Sequence, residues 1–271
     1  MAVFEGQNGQ DWRQRTRRVD VFVWFCWLIG LSIVVACLSF ISDKTIWAFV
    51  LSAPQEAGDL GRRMFPPDWA YSSTLWRPLW DTFNIATLGT AIALMISVPV
   101  AFCAARNTTP SVVFVRPIAL FIIAASRSIN SLIWALLLVV IVGPGVFAGV
   151  IAIAFRSIGF CGKLLYEAIE EIAVEPVEAV TATGASSGQV LTYGVVPQIM
   201  PAFAGISVFR WDINIRESTI LGLVGAGGIG LQLSASINNL DWSRVAVILI
   251  AILGTVIVSE WLSAKVRAAL I

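Results

Sequence analysis

Long uncharged runs alternate with short polar bridges along this chain. Residues 21–42, 82–105 and 128–155 hold no charged side chain, and a fourth such run covers 245–259. About 20 apolar residues cross about 30 Å of hydrocarbon, so three runs suffice alone and the fourth draws on its flanks. Between Arg116 and Arg156 the only charge is Arg127. One helix over that stretch would be about 58 Å long, so it must turn, and Gly143-Pro144-Gly145 is the place. The pattern predicts six spans, at about 20–41, 82–104, 117–141, 146–162, from Pro197 or Pro201 to Glu217, and 243–263. Residues 218–240 carry glycines at 222, 225, 227, 228 and 230, which predicts a broken, partly re-entrant segment. Residues 42–80 mix four prolines with Trp47, Trp69, Trp76 and Trp80, which suits a stretch at the lipid–water boundary.

Charge fixes an orientation. Arg13, Arg15, Arg17 and Arg18 precede the first span, so the positive-inside rule puts the N-terminus in the cytoplasm. Loop 107–115, the stretch 163–196 and the Lys265/Arg267 end then share that side. Lys44, Arg62, Arg63 and Arg77 fall outside, against the rule. The first apolar run is too long for a cleaved signal and reads as a retained span.

Composition narrows the class. The chain is 58% apolar and 13% charged, against about 25% charge in soluble domains, so it is an all-α polytopic membrane protein. Continuous apolar runs exclude a barrel, and scattered basic residues make no nucleic-acid footprint. There is no histidine, no Cys-x-x-Cys spacing among Cys26, Cys37, Cys103 and Cys161, and no catalytic or metal-ligand constellation. Without a phosphate loop, any nucleotide chemistry belongs to another chain. Gly225-x-Gly227-x-x-Gly230 matches a dinucleotide fingerprint in letters only, because no strand–helix unit surrounds it. Those glycines instead allow close backbone approach, or free N–H groups for an anion.

Two polar features remain. The first is Gly159 to Pro201, in which Glu167, Glu171, Glu175 and Glu178 recur at four, four and three, roughly one helical face, with Pro176 interrupting or restarting the helix. It is either a solvated interhelical loop or a platform for a soluble partner. The second is a set of intramembrane charges: Arg127, Arg156, Arg210 and Arg216 against Asp212 and Glu217. Such groups turn away from lipid, toward the bundle interior or a water-filled path. Asp212 and Arg216, four apart, can pair. The cluster is then either a set of structural ion pairs or a cationic lining for an anion. In the second case Ser218, Thr219 and the N–H groups of Gly225, Gly227 and Gly228 are further donors.

Glu178-Ala179-Val180, then Gly184, then Gly194-Val195-Val196-Pro197 resembles the cytoplasmic signature of membrane subunits in binding-protein-dependent ABC importers. Glu178, Ala179, Gly184 and Pro197 match it, while Val180, Gly194 and Val196 depart from it. Arg127-Ser128-Ile129, Gly143-Pro144-Gly145, Arg216-Glu217-Ser218-Thr219 and the 221–230 glycine run are similar to the phosphonate branch. There Asn130 stands where family members usually have a helix-breaking proline. The resemblance implies a type I importer permease with six membrane helices and a cytoplasmic coupling helix, in which Glu178, Ala179, Gly184 and Pro197 engage an ATPase. It implies a head at 1–19, a first span and interfacial segment at 20–79, a permease core at 80–267 and a tail at 268–271. The implied partners are a second permease copy, a cytoplasmic ATPase dimer carrying ATP and Mg, an extracytoplasmic solute-binding protein and the lipid of a prokaryotic inner membrane. The implied solute is phosphonate or a close phosphorus oxyanion, with phosphite, phosphate-like and methionine-type solutes as alternatives. A secondary transporter or channel would instead work without an ATPase.

Overall fold

A computed structural model describes residues 3–6, 9–12 and 17–270, so Arg13 and Arg15 of the basic head lie outside the described residues. The chain forms two compact units, Met1–Gly61 and Arg62–Ile271. In the first, strands β1 (Val3–Gly6) and β2 (Gly9–Trp12) pair antiparallel, an element the polar head did not announce. Helix α1 (Arg17–Lys44) follows, with no buried residue. An apolar helix of about 42 Å with its side chains exposed is at home in hydrocarbon. Helix α2 (Trp47–Met64) begins apolar and ends on Arg62 and Arg63.

The second unit holds α3 (Trp76–Ala104), α4 (Val115–Ser128), α5 (Ser131–Val142), α6 (Val146–Glu170), α7 (Val174–Ala182), α8 (Ser187–Val190), α9 (Val196–Leu221), α10 (Ile229–Asn238) and α11 (Trp242–Leu270). Among the described residues five helices are long and apolar enough to cross a membrane, or six if α4 and α5 count as one broken span. Helix α6 is the hub, packed on α3, α4, α5 and α9. Small residues let these helices close in, as membrane packing requires. A β-carbon on Gly89 of α3 would stand 2.7 Å from Ile153 Cγ2, and one on Gly149 of α6 2.6 Å from the Ala226 carbonyl.

The expected continuous span over 117–141 is corrected. It is two helices, α4 and α5, bent by 86°. Ile129 and Asn130 are extended, and Asn130 Oδ1 accepts from the Leu132 N–H at 3.0 Å. An asparagine at the N-cap starts a new helix by satisfying one of its free donors, so the break needs no proline.

The 218–240 segment is broken as expected. Helix α9 ends at Leu221, and Gly225, Gly227 and Gly228 take φ of 90°, 84° and 74° before α10. Side chains are strained there, which accounts for the glycines. The loop is packed as well: Gly145 N–H donates to Gly225 O at 3.0 Å, and Ile229 N–H donates to Thr82 Oγ1 at 2.8 Å.

Candidate functional site

The intramembrane charges separate into two groups on α9. Glu217 is shared: Oε1 lies 3.4 Å from Arg156 Nη1 on α6, and Oε2 lies 3.4 Å from Arg210 Nη2. Arg210 is 2% exposed, donates through Nε to Ser157 Oγ at 2.8 Å, and stacks over the Phe160 ring at 5.0 Å. Asn214, buried one turn further on, donates to Thr90 Oγ1 of α3 at 2.7 Å and to Ser157 Oγ at 3.1 Å. Arg156 also reaches Asn130 Oδ1 at 3.3 Å and Ser131 Oγ at 3.4 Å, so the α4–α5 break is tied into the same network.

Arg127 joins from α4. It is exposed rather than turned into the bundle, and has no hydrogen-bond or ion-pair partner among the described residues. Its stem crosses α6 at Gly159, where an added β-carbon would stand 2.7 Å from Arg127 Cγ, and Gly159 N–H donates to Ser126 Oγ at 2.8 Å. Residues 156–160 of α6 thus carry Arg156, touch Arg210 at Ser157 and Phe160, and meet the Arg127 stem at Gly159. One buried and one partly exposed guanidinium share a single carboxylate, which leaves positive charge over.

The second group closes on itself. Arg216 pairs with Asp212 one turn back, and the other Asp212 oxygen accepts from Ser259 Oγ of α11 at 2.9 Å. Asp212 is buried, while Arg216 is 45% exposed. Ser218 and Thr219 are buried, and their hydroxyls donate to the Ile215 and Arg216 carbonyls of their own helix at 2.8 and 2.7 Å. Both hydroxyls are thus donors already engaged. Gly225, Gly227 and Gly228 likewise serve backbone turning and contact with Val146 and Thr82. An apolar cleft of about 450 Å³ between α3, α9 and α11, lined by Trp80, Phe83 and Trp211 among others, offers an oxyanion almost nothing.

The acid-rich stretch also differs from its expected single face. Helix α6 stops at Glu170 and α7 starts at Val174, so Glu167 lies on one helix and Glu175 and Glu178 on another. Glu167 pairs with Lys163 at 3.5 Å. Glu170 pairs with Arg116 at 3.4 Å and accepts the Arg106 N–H at 2.9 Å, which fastens the end of α6 to the 105–116 loop. Pro176 sits in the first turn of α7, where its missing N–H is not needed.

Helix α7 has no buried residue, and Glu178, Ala179 and Gly184 are all exposed. Gly184 takes φ 79° after α7, and Ser186 N–H donates to Gln189 Oε1 at 2.8 Å to open α8. Half-buried Val177 packs on a core of Ala101, Ala105, Leu165, Ile169, Val195 and Ile199. A β-carbon on Gly194 would lie 3.3 Å from Val177 Cα, so glycine fits where helix α7 crosses the approach to α9. Gln198 clamps the crossing, accepting from Ala173 N–H at 3.0 Å and donating to Gly194 O at 2.7 Å. Exposed Pro197 is the second residue of α9, and the π-helical turn 191–195 before it accommodates its missing donor.

In the sequence Arg127, Arg156, Arg210, Asp212, Arg216 and Glu217 stand out as charges and Asn130 only as a departure from proline, while Ser131, Ser157, Asn214, Thr90 and Gln198 do not stand out. Polar uncharged residues inside apolar runs were the available signal, because each needs a partner away from lipid.

Comparison with known proteins bears on both regions. The model of the family "Binding-protein-dependent transport system inner membrane component" matches residues 97–270. The phosphite transport system permease protein PtxC of Stutzerimonas stutzeri is 39% identical over 259 residues, 94% of this chain and 89% of that protein. The phosphate-import permease protein PhnE of Mycolicibacterium smegmatis is 39% identical over 231 residues, 83% of this chain and 43% of its own length. Among solved structures, a chain of the MetNI methionine ABC transporter superposes with TM-score 0.65 at 20% identity, covering 75% of this chain and 99% of its own length. At that identity the likeness is one of fold.

Proposed function

This chain belongs to the family of binding-protein-dependent transport system inner membrane components, and on that premise we propose that it forms the membrane path of an importer for a phosphorus oxyanion. The carrying observation is that Arg156 and Arg210 share one carboxylate at the middle of α6, with the stem of Arg127 crossing the same stretch at Gly159. Relatives named for phosphite and phosphate transport point to the same solute class. Charges inside a membrane domain are retained for a path or a partner, and a surplus of guanidinium suits a tetrahedral oxyanion.

The working unit in this reading is two permease copies, an ATPase dimer carrying ATP and Mg, and an extracytoplasmic binding protein. Both termini and residues 163–196 face the cytoplasm. The exposed α7, with Glu178 and Ala179 and the turn at Gly184, seats in the ATPase, and Pro197 begins the helix that carries its movement to Arg210 and Glu217. The permease contributes no covalent chemistry.

The test is reconstitution of the chain in vesicles with a cognate ATPase and solute-binding protein. ATP-dependent uptake of labelled phosphite or methylphosphonate, unaffected by excess methionine, is the expected result. Uptake of methionine instead, or oxyanion uptake without the ATPase, overturns it. Gly184→Val should leave the chain inserted yet uncouple or release the ATPase, because a branched side chain is strained at φ 79°. Normal solute-stimulated hydrolysis in that variant would remove Gly184 from the coupling role.

A further inference from the structure

Glu217 divides its two oxygens between arginines of different accessibility. Arg210 is 2% exposed and is further engaged by Ser157 and the Phe160 ring. Arg156 is 33% exposed, and its other contacts are the neutral amide oxygen of Asn130 and the hydroxyl of Ser131. Both guanidiniums approach Glu217 to 3.4 Å, so accessibility and the remaining partners, not distance, set Arg156 apart. One turn along α6 the stem of Arg127 crosses Gly159, so a second, unpaired guanidinium borders the same α4–α6 seam.

From this asymmetry we infer that Glu217 is a resident counter-anion which the solute displaces from Arg156. Arg156 and Arg127 form the exchangeable half of the cluster, and Arg210 with Glu217 the fixed half. The inference rests on the oxyanion reading above and adds how the oxyanion is held. Three arginines less one carboxylate leave a surplus of two positive charges, which a dianion such as hydrogen phosphate or phosphite neutralises. Keeping Glu217 on Arg210 throughout means the most deeply buried guanidinium never lacks a counter-ion. Competition from the second carboxylate oxygen weakens the hold on the solute, and a path must let its solute go. Arg216 takes no part, since Asp212 already pairs with it.

Asn130 supplies an independent handle. Its Oδ1 lies 3.3 Å from Arg156 Nη1 and also caps α5. Aspartate caps a helix as well as asparagine does, so Asn130→Asp places a permanent carboxylate on Arg156 while the fold is kept.

The experiment uses the assembled permease–ATPase complex in lipid nanodiscs without the binding protein. Labelled inorganic phosphate is the probe, measured by equilibrium dialysis at low ionic strength. The native complex should bind it weakly. Glu217→Gln should bind it about tenfold more tightly, and Asn130→Asp about tenfold more weakly, the scale of one charge-assisted contact. Adding Arg156→Gln to Glu217→Gln should abolish the gain. Unchanged, weaker or absent phosphate binding in an assembled Glu217→Gln complex overturns the inference. Should that variant fail to assemble, Asn130→Asp decides, and unaltered binding there overturns it equally. If the native importer moves a phosphorus oxyanion but these variants bind alike, only the exchange falls. If it moves none, the oxyanion reading falls with it.

Discussion

Two stripes of charge run along α9 and do different things. Arg210, Asn214 and Glu217 are spaced four and three apart and face α3 and α6, where each meets partners from another helix. Asp212 and Arg216 are four apart, about 200° round from Arg210 in the case of Asp212, and complete an ion pair within the helix itself. An i,i+4 pair is neutral and finished. A carboxylate shared by arginines of two helices is neither, and the charge it leaves over is available to a solute. Apparent equivalence in the sequence, four arginines and two acids, hides this division.

The comparison breaks most visibly at Arg210. Arg210→Ala leaves Glu217 only the partly exposed Arg156 and removes the stacking on Phe160, and losing one partner of a buried pair costs about 3–5 kcal/mol. Thermal unfolding in detergent should show a large drop, with a reduced yield of assembled complex. A native-like midpoint would mean that Arg210 is not the fixed member.

Arg156→Gln comes next. Its side chain is partly exposed, and Glu217 keeps Arg210, so the complex should assemble with a smaller loss of stability. Uptake should nevertheless fall by about tenfold or more, the worth of a lost charge-assisted contact. A fall in stability that matches the fall in uptake would reduce Arg156 to a structural role.

The smallest effect belongs to the other stripe. Arg216→Gln leaves Asp212 buried with only Ser259 as partner, and a loss of a few-fold in uptake is expected from a contact of about 1–2 kcal/mol. Replacing Asp212 by Asn as well removes the stranded charge and should recover much of it. A double variant no better than the single one would return Arg216 to the solute path.

Much of this was legible in the sequence, for reasons tied to particular residues. The spans, the turn at Gly143–Gly145 and the break at 222–228 follow from run length and glycine placement. The turn at Gly184 after α7 follows from the family signature, and the Asp212–Arg216 pair from a spacing within one helix. Glu217 with Arg156 could not be read, because 61 positions separate them and only the packing of α6 on α9 brings them together. The α4–α5 break was hidden because Asn130 acts through its cap rather than through a proline's steric clash. The four-glutamate face dissolved because backbone termination at Glu170 overrode the spacing of the acids.

The most direct measurement sets the two stripes against each other in one assay. Initial rates of ATP-driven phosphite uptake are taken for Arg156→Gln and for the Asp212→Asn/Arg216→Gln double variant, each normalised to assembled complex. The expected result is a rate reduced about tenfold or more for the first and within about twofold of native for the second. The reverse order would contradict the division of α9 into a solute-bearing and a structural face.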